Sequence, residues 1–233
     1  MIAIVVPTYN EKENLPILSQ RIFALNLPDV HLIVVDDNSP DGTGDVAEGL
    51  AKEYGKIHVL HRQVRGRATA GLDGFRLALK RGADFIVEMD ADLSHDPNDI
   101  PRFLEAIRSA DVVIGSRYSG GVIENRSWFR NRLSDVINFF NRWFLGLKIR
   151  DISGGYKCYR REVLASLNFD RFVSTGYSIG AELLYRISKN KFKMVEVPIH
   201  FHNRIHGYSK CDLRQMVNYG FKLLQIRFFS PHS

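Results

Sequence analysis

Cysteine is scarce in this chain: among 233 residues only Cys158 and Cys211 carry thiols. They lie far apart without metal-ligand spacing, which argues against a disulfide framework and a zinc knuckle and fits a reducing, cytosolic setting. No run reaches the roughly 18 to 20 consecutive apolar residues that a bilayer-spanning helix requires, so no membrane crossing is expected. The opening stretch, MIAIVVPTYNE, has neither a basic leader nor a small-residue cleavage site and reads as a first strand rather than a signal peptide. Internal repeats, low-complexity tracts and obvious linkers are missing. So is a dinucleotide fingerprint, because the nearest glycine cluster, DGTGD at 41–45, has the wrong spacing. The basic residues are scattered among strand ends with no nucleic-acid reader motif, which makes DNA or RNA the weakest class of partner.

What remains is an ordinary packed composition, 45% hydrophobic and 25% charged. Lysine and arginine outnumber the acids by 32 to 26, giving +6 and a pI near 9.3, a mild bias toward anionic partners.

Apolar, β-branched runs recur at Ile2 to Val6, His31 to Val35, Ile57 to Leu60, Phe85 to Met89 and Val112 to Ile114. Helix-like stretches separate most of them: Leu18, Ile22 and Leu25 share one face, Val46, Leu50 and Tyr54 another behind a Thr43 cap, and Leu72, Phe75 and Leu79 a third. The alternation predicts an α/β fold with a mostly parallel, three-layer sheet. From about residue 119 the rhythm changes to basic, aromatic-rich, helix-like segments, with a late strand from Met194 to Phe201.

Sheets of this kind bind ligands beyond the carboxyl ends of their strands. The residues there are PTYNE at 7–11, DDNSPDGT at 36–43, HRQVRGR at 61–67, DADLSHD at 90–96 and GSRY at 115–118. In an extended chain Asp90 and Asp92 point the same way, as two carboxylates on one divalent cation, or one on a cation and one on a ribose, would require. An Asp-x-Asp at a strand end is also a common solvated turn, so the pair alone leaves both readings open. Asp36 and Asp37 follow the second strand, and a carboxylate there can accept hydrogen bonds from a base edge or ribose. The turn and helix cap account for Asp41 to Thr43. His95 reads as structural, and Asp96 with Pro97 as a cap leading into a helix around Ile100 to Ile107.

The stretches IVVPTYNEKENL, VVDDNSPDGT, EMDADLSHDP, GSRYSGG and ISGGYKCYRREVL, in this order and spacing, resemble family 2 glycosyltransferases, and closely the dolichyl-phosphate (polyprenyl-phosphate) mannose synthases. FRNRLSD and NRIHGYSK sharpen the likeness, which runs from Ile2 to about Lys210. The resemblance implies a GT-A-type, Rossmann-like fold that binds GDP-mannose and Mg2+ or Mn2+ and transfers mannose, with inversion, to a polyprenyl phosphate. Pro7, Tyr9 and Glu11 would hold the guanosine and Asp37 help select the base. Asp90 would lie near ribose and metal with Ala91 beside it, and Asp92 would ligate the metal. Ser94 stands where some relatives have Gln and would be the third, poorer protein ligand. Arg117, Arg130, Ser134 and Arg204 would face the acceptor phosphate or the diphosphate, where guanidinium forks suit the oxygens, with Lys210 joining them. Arg65 and Arg67 sit in a loop that departs from the family's common pattern.

The lipid acceptor implies a peripheral position on the cytoplasmic face of a membrane, with a possible anchoring partner subunit. VINFFNRWFLGL at 136–147 and VNYGFKLLQIRFF at 217–229 are dense in aromatics and too short to span, and fit either an interface or a core. The expected organisation is one catalytic domain over 1–210 and an amphipathic tail over 211–233. Two other readings stand beside this one: the same acceptor with another donor such as UDP-glucose, and a non-catalytic subunit that binds a nucleotide sugar or lipid phosphate.

Overall fold

The computed structural model describes residues 1–63, 65–120, 122–123, 138–174, 176–201 and 222–228. Strands form where the β-branched runs fall: β1 (Ile2–Thr8), β2 (Val30–Asp36), β3 (Ile57–His61), β4 (Phe85–Glu88) and β5 (Val112–Ser116). Helices α1 (Asn14–Ala24), α2 (Thr43–Tyr54), α3 (Arg67–Lys80) and α4 (Ile100–Ala106) lie between them. All seven residues of β1 are buried, because helices cover both faces of the sheet and no strand position needs to be polar. The anticipated helix faces point inward: Leu18, Ile22, Leu72 and Phe75 are fully packed, and Val46, Leu50 and Tyr54 flank buried Ala47. Within α3, a Cβ at position 74 would collide with Val5 Cγ1. Glycine there lets the helix lie directly on β1 and β2.

The four remaining strands are β6 (Val122–Ile123), β7 (Lys157–Arg160), β8 (Met194–Pro198) and β9 (His200–Phe201). Seven strands form one sheet in the order β3-β2-β1-β4-β7-β5-β8, and β6 pairs with β9 in a small second sheet. β7 runs antiparallel to β4 and β5; every other pair in the large sheet is parallel. Two sequence expectations are corrected here. The region beyond residue 119 contains a central strand, β7, whose four residues KCYR are too few and too basic to announce one. The late strand also breaks at Ile199, whose N–H turns to the Ser116 carbonyl at 3.1 Å, so that 194–198 and 200–201 serve different sheets.

The order β3-β2-β1-β4 reverses direction between β1 and β4. A crevice opens at such a reversal because the connections leave on opposite faces, and ligands of doubly wound sheets bind there. At the opposite end of the strands, His31 Nδ1 and His58 Nε2 stand 2.9 Å apart, and Asp29 Oδ1 lies 3.2 Å from His31 Nε2. Burial, then the nearby charges of Arg81 and His31, lowers the His58 pKa below its ordinary value of 6.5. A histidine depressed in the folded state favours folding when neutral, so its contribution is complete above the unfolded pKa and is lost as pH falls through 6.5 toward the folded pKa. His58→Gln is therefore expected to flatten the fall in urea midpoint between pH 8 and pH 5. A pH dependence identical to wild type would show that His58 does not titrate with folding.

Among the described residues no helix is long and apolar enough to cross a membrane. Helical residues 138–145 and 222–228 meet through Phe144 and Phe228, ring centroids 6.5 Å apart. Leu145, Leu223 and Ile226 point into the core, whereas Phe139, Phe140, Trp143, Leu224 and Phe228 stay exposed on the other side. The two aromatic segments separated in sequence thus form one surface patch, half core and half solvent.

Candidate functional site

A cleft of about 140 Å³ lies at the reversal point between β1 and β4, lined by Pro7, Thr8, Tyr9, Glu11, Asp37, Asp90, Ala91 and Asp92. Seven of these eight are residues that the resemblance assigns to nucleotide or metal. Thr8 is the addition. A larger open groove of about 520 Å³ runs along β3 and α3 at the sheet edge, but only the end of β3 reaches it, and topology favours the smaller cleft.

The β1 and β2 ends are stitched together by their turns. Asp36, buried, accepts from the Ser39 hydroxyl at 2.5 Å and its N–H at 3.2 Å. Asp41 accepts from the Thr43 N–H at 2.9 Å and hydroxyl at 2.6 Å. Burial acts to raise the Asp41 pKa, but the bonds from Thr43 and the Lys12 N–H outweigh it and hold the carboxyl below its usual value. The capping group of α2 is therefore Asp41, with Gly42 in the left-handed region at the N-cap, and not Thr43 as the sequence suggested. The Thr43 hydroxyl instead accepts the Glu11 N–H at 2.9 Å, tying the PTYNE loop to α2.

Asp37, by contrast, is held from the third loop. Its carboxylate accepts the Gly66 N–H at 2.7 Å and is bonded by the Arg62 guanidinium. The same guanidinium reaches Asp73 at 2.8 Å and the Thr69 hydroxyl at 2.7 Å. One arginine thus locks the loop after β3 against Asp37. Sequence reading missed Arg62, and the dense basic run HRQVRGR was the signal available. In the same loop the Arg65 guanidinium lies 4.0 Å from the centroid of the Tyr9 ring, a cation–π contact with a residue that lines the cleft. The Arg67 side chain lies outside the described part of the structure.

The DADLS loop turns sharply at Leu93, whose φ of 62° is a conformation costing a non-glycine residue roughly 1–3 kcal/mol. That turn brings Ser94 back under Asp92: Asp92 Oδ1 accepts the Ser94 N–H at 3.1 Å and hydroxyl at 2.5 Å. Ser94 is fully buried and does not line the cleft, so its hydroxyl orients the Asp92 carboxylate from behind. The Asp90 N–H donates to His95 Nδ1 at 3.0 Å, and the buried His95 ring stacks on Tyr156 at 4.8 Å. Asp96 caps the next turn by accepting the Asn98 N–H, with Pro97 following, as the sequence indicates. Among the described residues no group of three His, Cys, Asp or Glu is placed to hold a metal. Two carboxylates on one loop suit a hard divalent cation that takes its remaining oxygens from water and a phosphate-bearing substrate.

Arg117 sits beyond β5. Its backbone N–H and Nε bond Asp151 Oδ2 at 3.0 and 2.8 Å, and Nη2 bonds Asp151 Oδ1 at 2.8 Å and the Ser153 hydroxyl at 2.7 Å. Asp151 is wholly buried and also accepts the Gly154 N–H at 2.9 Å. Burial acts to lower the Arg117 pKa, but the bonded carboxylate overrides it and holds the guanidinium above its ordinary value. The converse holds for Asp151: burial pushes up and Arg117 pulls it below the usual carboxylate range. Asp151 was not singled out from sequence, although it directly precedes the SGG of DISGGYK. At Gly115 a Cβ would lie 2.8 Å from Phe103 Cζ and 3.1 Å from Ile199 Cγ2, so the glycine of GSRY serves packing. Arg130, Ser134, Arg204 and Lys210 lie outside the described residues. Cys158 is buried in β7, and burial pushes its thiol up to about 12, which makes it an inert core residue.

A doubly wound sheet with an acidic loop at its reversal point and an antiparallel strand beside it defines the GT-A class of nucleotide-sugar transferase folds. Solved structures agree: glucosyl-3-phosphoglycerate synthase from Mycobacterium tuberculosis, in complex with Mn2+ and UDP-glucose, superposes with a TM-score of 0.70 over 100% of this chain and 80% of that one, at 20% identity. The Glycosyl transferase family 2 model matches residues 3–167, and the chain belongs to that family; it is a glycosyltransferase. Among curated relatives, the polyprenol monophosphomannose synthase of Mycolicibacterium smegmatis is 46% identical over 213 residues, covering 90% of this chain and 80% of the relative. The undecaprenyl-phosphate mannosyltransferase of Micrococcus luteus is 43% identical over 210 residues, covering 89% and 86%.

Proposed function

We propose that this glycosyltransferase transfers mannose from GDP-mannose to a polyprenyl phosphate with inversion, releasing GDP. The observation that carries the reading is the cleft at the β1–β4 reversal, where Pro7, Tyr9, Glu11, Asp37, Asp90 and Asp92 converge. The names of the two mannosyl-transferring relatives support sugar and acceptor. Tyr9, Pro7 and Glu11 hold the guanosine, with Asp37 fixed by Arg62 to accept from the base. Asp90 and Asp92 hold Mg2+ or Mn2+, and Ser94 sets the angle of Asp92. When bound, that cation neutralises charge on the departing diphosphate.

The acceptor phosphate is an anionic nucleophile near neutral pH, so no strong base is needed. The task of the chain is to bring two anions together, which calls for guanidinium groups. Arg117, whose Nε and Nη2 are held by Asp151, is assigned to this task together with Arg130, Ser134, Arg204 and Lys210. Purified protein with GDP-mannose, Mn2+ and a polyprenyl phosphate should yield a chloroform-soluble mannolipid. Absence of lipid product with every donor offered would overturn the reading, and product from UDP-glucose alone would move it to the second donor.

The catalytic domain comprises residues 1–210, and the tail lies on the cytoplasmic face of a membrane with or without an anchoring partner. The exposed aromatics of 138–145 and 222–228 support the membrane contact alone, since Phe and Trp with flanking cations insert at a lipid interface. Trp143→Ser combined with Phe228→Ser is expected to weaken binding to anionic vesicles about tenfold or more while GDP affinity holds. Unchanged vesicle binding would remove the patch from the membrane contact.

A further inference from the structure

The short strand β9 is engaged from two sides. Phe201 pairs with Ile123 of β6, beyond the GSRY loop, and forms an isolated antiparallel bridge with His95 at the end of the carboxylate loop. Its ring lies 5.5 Å from the His95 ring, centroid to centroid, with the two planes at 68°. The Arg117 guanidinium carbon lies 5.3 Å from the centroid of the same Phe201 ring, within cation–π range. Among the described residues Phe201 joins neither hydrophobic core, and it stays partly exposed. A phenylalanine placed for burial would sit among aliphatic side chains, whereas this one presents its ring to a histidine and a cation.

Both partners of that ring are themselves fixed. His95 is 2% exposed, its Nδ1 accepts the Asp90 N–H at 3.0 Å, and its ring stacks on Tyr156 at 4.8 Å. Tyr156 in turn donates its hydroxyl to the Asp96 carbonyl at 2.9 Å, so His95 cannot shift without moving the backbone on either side of it. On the other side, Asp151 takes Arg117 through Nε and Nη2, each at 2.8 Å. Such a fork lies in the guanidinium plane and fixes one edge of the group, but it leaves the plane free to tilt about that edge. An aromatic ring set against the guanidinium restrains the tilt. Nη1 takes no part in the bonds to Asp151 and Ser153, and the direction in which it faces follows that tilt.

We propose that Phe201 is a positioning residue for transfer: braced against His95, its ring sets the tilt of Arg117 and so fixes the arginine relative to the Asp90 loop. The inference rests on the reading of Arg117 as the ligand of a substrate anion and of Asp90 and Asp92 as the metal site. Phe201→Tyr keeps the ring, and Phe201→Leu keeps apolar bulk without it. Position 201 is partly exposed at the end of a two-residue strand, so neither change empties a core. With the nucleotide sugar that wild type uses best, Phe201→Leu should lower kcat about tenfold or more and Phe201→Tyr less than about threefold. KM for that donor and the Kd for GDP with Mn2+ should stay within about twofold in both, because His95 keeps its bond to Asp90. A second readout needs no turnover: by NMR, the Arg117 Nε–H, bonded to Asp151, should exchange with water about tenfold faster in Phe201→Leu than in wild type. Leucine within about twofold of wild type, tyrosine falling as far as leucine, or GDP affinity lost in parallel with kcat would overturn the proposal, as would an unchanged exchange rate. Wild type that transfers sugar from no donor would overturn the reading of the site instead, and the exchange rate would then decide the role of Phe201 by itself.

Discussion

Asp92→Asn is expected to cut transfer by about three orders of magnitude while leaving the melting temperature close to wild type. The asparagine carbonyl can still accept the Ser94 N–H and hydroxyl that Asp92 Oδ1 accepts at 3.1 and 2.5 Å, so the DADLS turn keeps its internal bonds. What it loses is the negative charge that a divalent cation requires, and a bound cation supplies several kcal/mol of charge stabilisation, each 1.36 of which is about tenfold in rate. Asp92→Ala makes an informative contrast. It removes the acceptor as well, stranding buried Ser94 groups at a cost of roughly 1–3 kcal/mol, so it should lose both activity and stability. Thermal melts and a mannolipid assay with and without Mn2+ separate the two effects. Asparagine retaining more than about a tenth of the activity would exclude the ligand role.

Asp151→Ala should produce the largest loss of stability. The substitution leaves Arg117, only 12% exposed at its side chain, without the carboxylate that meets it through two guanidinium nitrogens. Breaking a buried pair from one side typically costs about 3–5 kcal/mol, because the remaining charge stays desolvated and unpaired. For a chain of this length that corresponds to a fall in Tm of roughly 10 °C. Activity should fall further than stability accounts for if Arg117 binds a substrate anion, since an arginine freed from Asp151 is no longer held in one orientation. The double variant Arg117→Met, Asp151→Leu should recover much of the lost Tm and none of the activity. A Tm unchanged by Asp151→Ala alone would mean that the pair is solvated and contributes little.

Much of the site could be read from sequence because its determinants are local. Asp90 and Asp92 follow an apolar run, Pro7 to Glu11 follow another, and Asp96 with Pro97 obeys ordinary capping chemistry. The residues that sequence reading passed over depend on distant partners. Arg62 stands 25 residues from the Asp37 it clamps, and Asp151 stands 34 from the Arg117 it holds. Ser94 shows the intermediate case: its position in the motif was visible, but whether its hydroxyl faces a metal or its neighbour's carboxylate depends on the left-handed turn at Leu93. Thr43 was likewise recognised at the start of α2, yet the capping acceptor is Asp41 and the threonine hydroxyl serves Glu11 instead.

By itself the sequence determined the α/β class, the first five strands, the helix faces between them and the acidic strand ends. Those features follow from hydrophobic periodicity and turn chemistry, which act over a few residues. Only the tertiary structure decided that the strand order reverses between β1 and β4, that β7 enters antiparallel beside β4, and that the Phe201 ring meets both His95 and Arg117. These are outcomes of long-range pairing. A four-residue strand such as KCYR has too little pattern of its own, and becomes a strand because unsatisfied backbone groups of β4 and β5 flank the space it fills.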